Sequence, residues 1–314
     1  ICIMKKNYQI SIRLLAFAGI FLFFVVGTSA KLSVINDQNS DIVIIENGGT
    51  GPYSAIVTED AGLPGMTIYR PKDLTPFAGN QKLPVLLWGN GGCANSTYSH
   101  KNFLNEIASQ GYIVLGIGPL KRTQTEGPGG GGMQSTKASQ LTEALDWITE
   151  QNKKAGSEYS GKIDVSKVAA MGMSCGGLQA IEISGDSRIS TTVVCNSGIL
   201  GQASPMGGMP AVTKDDLLKY HNPVLYLIGG PPDIAYNNAK DDFEKIKHVP
   251  VAMTNLDVGH GGTYSQPHGG KFTRVALAWL NWHLKGKNED SKEFLGADCG
   301  LCKDEEWTIE TKNF

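Results

Sequence analysis

The chain has 314 residues, 41% of them hydrophobic, and its 28 Lys and Arg against 30 Asp and Glu give a formal net charge of −2. That length suits one large α/β domain or two small ones. No run of Lys or Arg forms a patch fitted to phosphate backbones, which excludes nucleic acid as a partner.

Taken in chain order, Lys5, Lys6 and Arg13 precede an apolar run from Leu14 to Val26, and Thr28-Ser29-Ala30 supplies small residues at a cleavage site. The run is short for a membrane span, so residues 1–30 read as a secretory signal peptide cleaved after Ala30. Met4 is a more natural start than Ile1. The mature protein is therefore expected to be secreted, extracellular or periplasmic, with no stable membrane anchor. Residues 31–50 form a polar lead, and residues 51–314 read as a single catalytic domain.

Tyr53–Val57 and Met66–Tyr69 predict an antiparallel pair around a turn at Gly62–Gly65. Leu83–Trp88 is a continuous apolar run of the kind buried on both faces. Tyr98–Gln110 has helical spacing, with Gly111 where a helix stop belongs. Tyr112–Ile117 reads as a strand and Ser135–Lys154 as an amphipathic helix. Strands are predicted at Val168–Met171, Thr191–Cys195, Val224–Ile228 and Val251–Leu256, and helices at Tyr236–Ile246 and Phe272–Leu284. This alternation implies a mostly parallel central sheet of about eight strands with helices on both faces. Gly127–Gly132 reads as a surface loop, because no Lys-Ser/Thr follows it as a phosphate cradle requires.

Once Cys2 leaves with the signal, Cys93, Cys175, Cys195, Cys299 and Cys302 remain, an odd number that leaves one thiol without an intramolecular partner. Cys299-Gly-Leu-Cys302 suits a short-range disulfide. Cys175 and Cys195, near the ends of neighbouring strands, are candidates for a second. Asn95-Ser96-Thr97 is the one N-glycosylation sequon.

Residues beyond the carboxyl ends of the strands carry the chemistry in open α/β sheets. Gly172-Met173-Ser174-Cys175-Gly176 follows an apolar strand and precedes a helix-compatible segment, the order of a nucleophile elbow. Asp233 follows Val224–Ile228 through Gly229-Gly230-Pro231-Pro232. A carboxylate there can orient an imidazole, although it would also serve as a helix N-cap. His260 follows the next strand in a glycine-flanked loop; Asp257, three residues before it, is the rival acid. The order Ser174, Asp233, His260 is that of the α/β-hydrolase fold. Backbone N–H groups at Gly92, in Gly89-Asn90-Gly91-Gly92-Cys93, and at Cys175 are the candidate oxyanion donors, with Cys93 as second choice in that loop.

At these residues the chain resembles the secreted polyester hydrolase, cutinase and lipase branch of the α/β-hydrolases, close also to dienelactone-hydrolase-like proteins. The resemblance runs from Gly51-Pro52-Tyr53 to Cys299 and takes in Met66-Thr67-Ile68-Tyr69-Arg70-Pro71, Ile163-Asp164-Val165-Ser166-Lys167-Val168 and Ala278-Trp279-Leu280. It implies carboxylic ester hydrolysis without a cofactor, on a small-molecule or polymeric ester. It also implies Ser174 as nucleophile, Asp233 as acid, His260 as base and Gly92 in the oxyanion site. Polyester-active members often carry aromatic groups at the oxyanion position, beside the serine and after the following strand. Here those places hold Gly92, Met173 and Asn196-Ser197-Gly198, and the nucleophile is Ser where dienelactone hydrolases have Cys. A serine peptidase on the same fold and an inactive secreted binding protein are the alternatives.

Amino-terminal sequencing of the secreted protein is expected to begin at Lys31. A terminus upstream of Leu14 would overturn the signal-peptide reading.

Overall fold

Apolar runs such as Val85-Leu86-Leu87-Trp88 can only be strands if both of their faces are covered, and the fold supplies a helical layer on each side. The computed structural model describes residues 48–121, 136–201 and 209–314. The predicted signal peptide, nearly all of the polar lead and the Gly127–Gly132 loop lie outside the described residues.

Among the described residues nine strands form one sheet: β1 (Ala55–Thr58), β2 (Met66–Pro71), β3 (Leu83–Gly89), β4 (Ile113–Ile117), β5 (Ile163–Met173), β6 (Ile189–Cys195), β7 (Val224–Ile228), β8 (Val251–Leu256) and β9 (Trp307–Lys312). Their spatial order is β1-β2-β4-β3-β5-β6-β7-β8-β9. The strands from β4 through β8 in that order are mutually parallel; β1, β2 and β9 pair antiparallel at the two edges. Helices α1 (Lys101–Ser109), α2 (Ser139–Lys153), α3 (Cys175–Ile183), α4 (Tyr236–Lys245) and α5 (Gly270–Lys285) connect them, and a short α6 (Gly300–Lys303) precedes β9.

The period of two along each strand sorts the core into layers. Leu86 and Trp88 of β3, with Val114, Met171 and Val193, pack against Phe103, Leu104 and Ile107 of α1 and Phe272, Val275 and Trp279 of α5. Val85 and Leu87, on the opposite face, meet Leu141, Leu145 and Ile148 of α2 and Ala180 and Ile183 of α3. Leu178 and Ile181 of α3 and Ala239 and Phe243 of α4 continue that layer over β6, β7 and β8. After β3 the chain crosses by α1 to β4 on one side, then returns by α2 to β5 on the other. The strand order therefore reverses around β3, and the carboxyl ends of β3, β5, β6, β7 and β8 open on one edge.

The predicted elements recur within a few residues, with three differences of physical interest. The single helix expected over Tyr98–Gln110 is a 3₁₀ turn, Tyr98–His100, followed by α1, and Gly111 adopts φ +85° where it ends. β5 starts five residues earlier than the apolar run, because its first turn of sequence, Asp164 to Lys167, is only partly covered. β9 escapes detection altogether: within it only Trp307 is buried, so this edge strand carries no apolar run. Among the described residues no helix is long and apolar enough to cross a membrane.

β9 pairs along the whole of β8, from Val251↔Lys312 to Leu256↔Trp307, and Trp307 packs against Phe272 with ring centroids 6.0 Å apart. Deleting residues 307–314 removes a buried Trp worth about 3–5 kcal/mol. It also leaves the fully buried β8 as an open edge. The melting temperature is expected to fall by roughly 10 °C, with increased light scattering on heating.

Candidate active site

Ser174 sits at the turn between β5 and α3 with φ +54° and ψ −118°, a conformation that side-chain-bearing residues rarely adopt. Two neighbouring glycines make the turn possible through space, not through their dihedral angles. A Cβ on Gly176 would overlap the carbonyl of Gly89, and one on Gly172 would overlap the carbonyl of Gly176. The elbow backbone thus lies directly on the end of β3. Ser174 N–H donates to the Cys195 carbonyl (2.9 Å), and Ser197 Oγ donates to the Ser174 carbonyl (2.7 Å), tying the turn to β6.

The structure brings the three predicted side chains together. His260 Nε2 lies 3.0 Å from Ser174 Oγ, and its Nδ1 lies 2.6 Å from Asp233 Oδ1. An ionised carboxylate only accepts, so Nδ1–H donates to it. In the neutral ring Nε2 is then free to accept from the serine hydroxyl. Asp233 is 3% exposed. Its Oδ1 also accepts from the Ala235 amide (2.9 Å), and its Oδ2 from the Gly229 amide (3.1 Å) and Asn196 Nδ2 (2.7 Å). Burial opposes ionisation of this carboxyl. The hydrogen bonds from His260, the two amides and Asn196 outweigh it, holding Asp233 below the usual carboxylate range. The N-cap alternative is replaced by a turn closed on Ala235, ahead of α4.

The loops bearing Asp233 and His260 are joined to each other. The Gly229 carbonyl accepts from the Val258 and Gly259 amides at 3.1 and 2.8 Å. The rival Asp257 is exposed, and His260 Nδ1 is already taken by Asp233. The remaining histidines stand elsewhere. His100 packs on Trp88, and burial pushes its pKa down to about 4. His283 lies against Trp279 and Trp282, with its pKa likewise lowered to about 4 by burial. His268 Nδ1 faces Glu106 at 3.1 Å.

Cys175 and Gly92, expected from the sequence to supply oxyanion donors, stand at the start of α3 and in the turn after β3. Cys175 is the first residue of α3, so its N–H has no partner within the helix. Gly92, exposed and at φ +62°, lies in a 3₁₀ turn, Gly91–Cys93, beyond β3. Asn90 pins the base of this loop: its amide nitrogen donates to the carbonyls of Ile117 (2.6 Å) and Ala94 (3.0 Å), and its oxygen accepts from Trp88 Nε1 (3.0 Å).

The predicted Cys175–Cys195 pairing is incorrect. Cys175 is bonded to Cys93, with Cα atoms 5.2 Å apart, and Cys195 is a buried free thiol. Cys175 lies beyond the sheet, opposite the Gly89–Cys93 loop, whereas the Cys195 side chain turns into the core beside Tyr264. The short Cys299–Cys302 bridge forms as the spacing suggested.

Sequence reasoning missed two residues that shape the site. Asn196, at φ +42°, holds Asp233 and also donates to the Gly259 carbonyl (3.2 Å), so one amide braces the loops of Asp233 and His260 together. Tyr264 OH donates to the Asn196 side-chain oxygen from within the core, where its ring meets Trp88, Phe103 and Phe272. Asn196 stands directly after β6, so the strand-end rule that found Ser174, Asp233 and His260 applies to it equally.

No curated protein matches the chain. Residues 44–196 span β1 to β6, with the Gly89–Cys93 loop and Ser174, and stop short of Asp233 and His260. This segment matches the PETase family, described as PET hydrolase-like, an α/β-hydrolase family, in agreement with the polyester hydrolase and cutinase resemblance carried by the sequence.

Proposed function

We propose that this chain is a secreted serine hydrolase of carboxylic esters acting through an acyl-enzyme. The observation that carries the reading is the continuous hydrogen-bonded line from Ser174 Oγ through His260 to the buried Asp233 carboxylate. The match of residues 44–196 to a PET hydrolase-like family supports esters as the substrate class. In this reading His260 takes the hydroxyl proton as Ser174 Oγ attacks the ester carbonyl, and Asp233 stabilises the imidazolium so formed. The N–H groups of Gly92 and Cys175 receive the developing oxyanion. His260 then delivers the proton to the departing alcohol, and water, activated by the same imidazole, releases the acid.

Exposed apolar side chains stand on both loops that carry the acid and the base. Ile234, next to Asp233, is 79% exposed, and Val258, two residues before His260, is 40% exposed. They favour esters with an apolar acyl or alcohol part. Secretion is supported by the two disulfides, which belong to an oxidising compartment, and by the signal-like first 30 residues.

Replacing Ser174 by Ala is expected to lower kcat on short p-nitrophenyl esters by at least about 10⁴-fold and to abolish labelling by an organophosphonate probe. Retention of turnover would end the assignment, and faster turnover of a peptide amide than of the matched ester would favour the peptidase alternative.

Asp233→Asn is expected to lower kcat by roughly 10⁴-fold through loss of the productive imidazole tautomer. The same variant tests the electrostatics. A carboxyl whose folded pKa lies below the unfolded value of about 3.9 stabilises the fold above that pH, and its contribution disappears as pH falls through the folded pKa. The stability advantage of wild type over Asp233→Asn, read by denaturant unfolding, is therefore expected to shrink as pH falls below about 4. An advantage that persists undiminished from pH 4 to about pH 2 would contradict the account.

A further inference from the structure

The geometry points to the Cys93–Cys175 disulfide as the positioning device of the oxyanion site: Cys93 and Cys175 keep the two donor segments in register for turnover, beyond any contribution to stability. The inference rests on the reading of Ser174 as nucleophile.

One donor segment begins α3 and is fixed by the elbow. The other, the Gly91–Cys93 turn, has two consecutive residues in the left-handed region, Gly92 at φ +62° and Cys93 at φ +50°. For Cys93 that conformation is sterically unfavourable, so it persists only where its surroundings over-determine it. Four contacts do so. The disulfide joins Cys93 to the first residue of α3 across 5.2 Å between Cα atoms, and Cys93 is fully buried. Thr136 Oγ1 donates to the Cys93 carbonyl (2.8 Å), and Gln179 of α3 in turn donates from Nε2 to the Thr136 carbonyl (2.9 Å). Gly91 passes so near Met173 that a Cβ there would sit 2.5 Å from its sulfur. Of these ties only the disulfide links the two proposed donor segments directly, because Cys175 supplies one donor N–H itself and Cys93 adjoins the other. Without it the turn can relax toward right-handed backbone angles, which would swing the Gly92 amide off the position of the oxyanion.

The test is the double variant Cys93→Ala/Cys175→Ala, which keeps every backbone N–H and removes only the tether. Assayed well below its melting temperature, it is expected to lose about 10- to 100-fold in kcat with KM within about twofold of wild type. That loss is less than the 10²–10³ that removing a whole oxyanion donor costs. Phosphonate labelling of Ser174 should slow in parallel. Cys299→Ala/Cys302→Ala, which breaks the remote bridge, should leave kcat unchanged. A folded Cys93→Ala/Cys175→Ala protein with wild-type kcat and only a lowered melting temperature would overturn the inference.

Should that variant fail to fold, folded wild type is treated with a water-soluble phosphine until thiol mapping shows complete cleavage of Cys93–Cys175. Phosphine and water become phosphine oxide as the S–S bond gains two electrons and two protons to give two thiols. Full kcat in the reduced, folded protein would again overturn the inference. A fall in kcat that reoxidation restores would support it. Ser174→Ala separates the two levels: if it retains turnover, the esterase reading itself fails, whereas a dead Ser174→Ala beside a fully active double variant sinks only the role of the bridge.

Discussion

Between the end of β3 and the first turn of α3 there is no room for a side chain. Gly89, Gly172 and Gly176 meet there backbone to backbone, and a Cβ at any of them would strike a neighbour. This contact sets the height at which the β5–α3 turn leaves the sheet, and so where the Ser174 hydroxyl stands. It also puts the amino end of α3 beside the loop that follows β3, although the two are 82 residues apart at Cys93 and Cys175. Parallel pairing of β5 with β3 and β6 does the rest, aligning Gly89 with Gly172 and Met173 with Cys195 so that the three strands end at the same edge.

The electrostatic centre is built on the same principle of close, fixed neighbours. A buried carboxylate without partners would protonate. Asp233 receives hydrogen bonds from four groups, three of which stand just beyond strand ends. Asn196 follows β6, Gly229 follows β7, and His260 lies in the loop after β8. Charge on Asp233 thereby draws three strand ends toward one point. Beneath them Tyr264 fills the space under the base loop and anchors Asn196 to the aromatic cluster of Trp88, Phe103 and Phe272. The geometry around the imidazole is held before any substrate arrives, which is what a low-reorganisation site requires.

Much of this was legible in the residues because it is local. Strands buried on both faces announce themselves as apolar runs, and Ser174, Asp233 and His260 each follow such a run through a glycine-rich turn. What escaped was set by contacts distant in sequence. Asn196 lies after a strand as well, but a short polar segment there reads as any turn until Asp233 is seen opposite it. Cys195 pairs with Cys175 on a sequence reading because both stand near the ends of neighbouring strands. The alternation of β6 instead turns its side chain into the core, and the true partner, Cys93, is brought near by the β3–β5 pairing. β9 went unseen because an edge strand with one face to solvent needs little apolar residue content.

The free thiol of Cys195 has a consequence for how the chain must mature. Three cysteines, at 93, 175 and 195, converge on one end of the sheet, and only two of them are joined. Burial pushes the Cys195 thiol far from its reactive anionic form once the core has closed over it. In the nascent, unfolded chain it carries no such protection and competes with Cys93 for Cys175, its nearer neighbour in sequence. Early docking of β6 takes this competitor out of reach of oxidants, and before that a Cys175–Cys195 crosslink stays open to attack by the Cys93 thiolate.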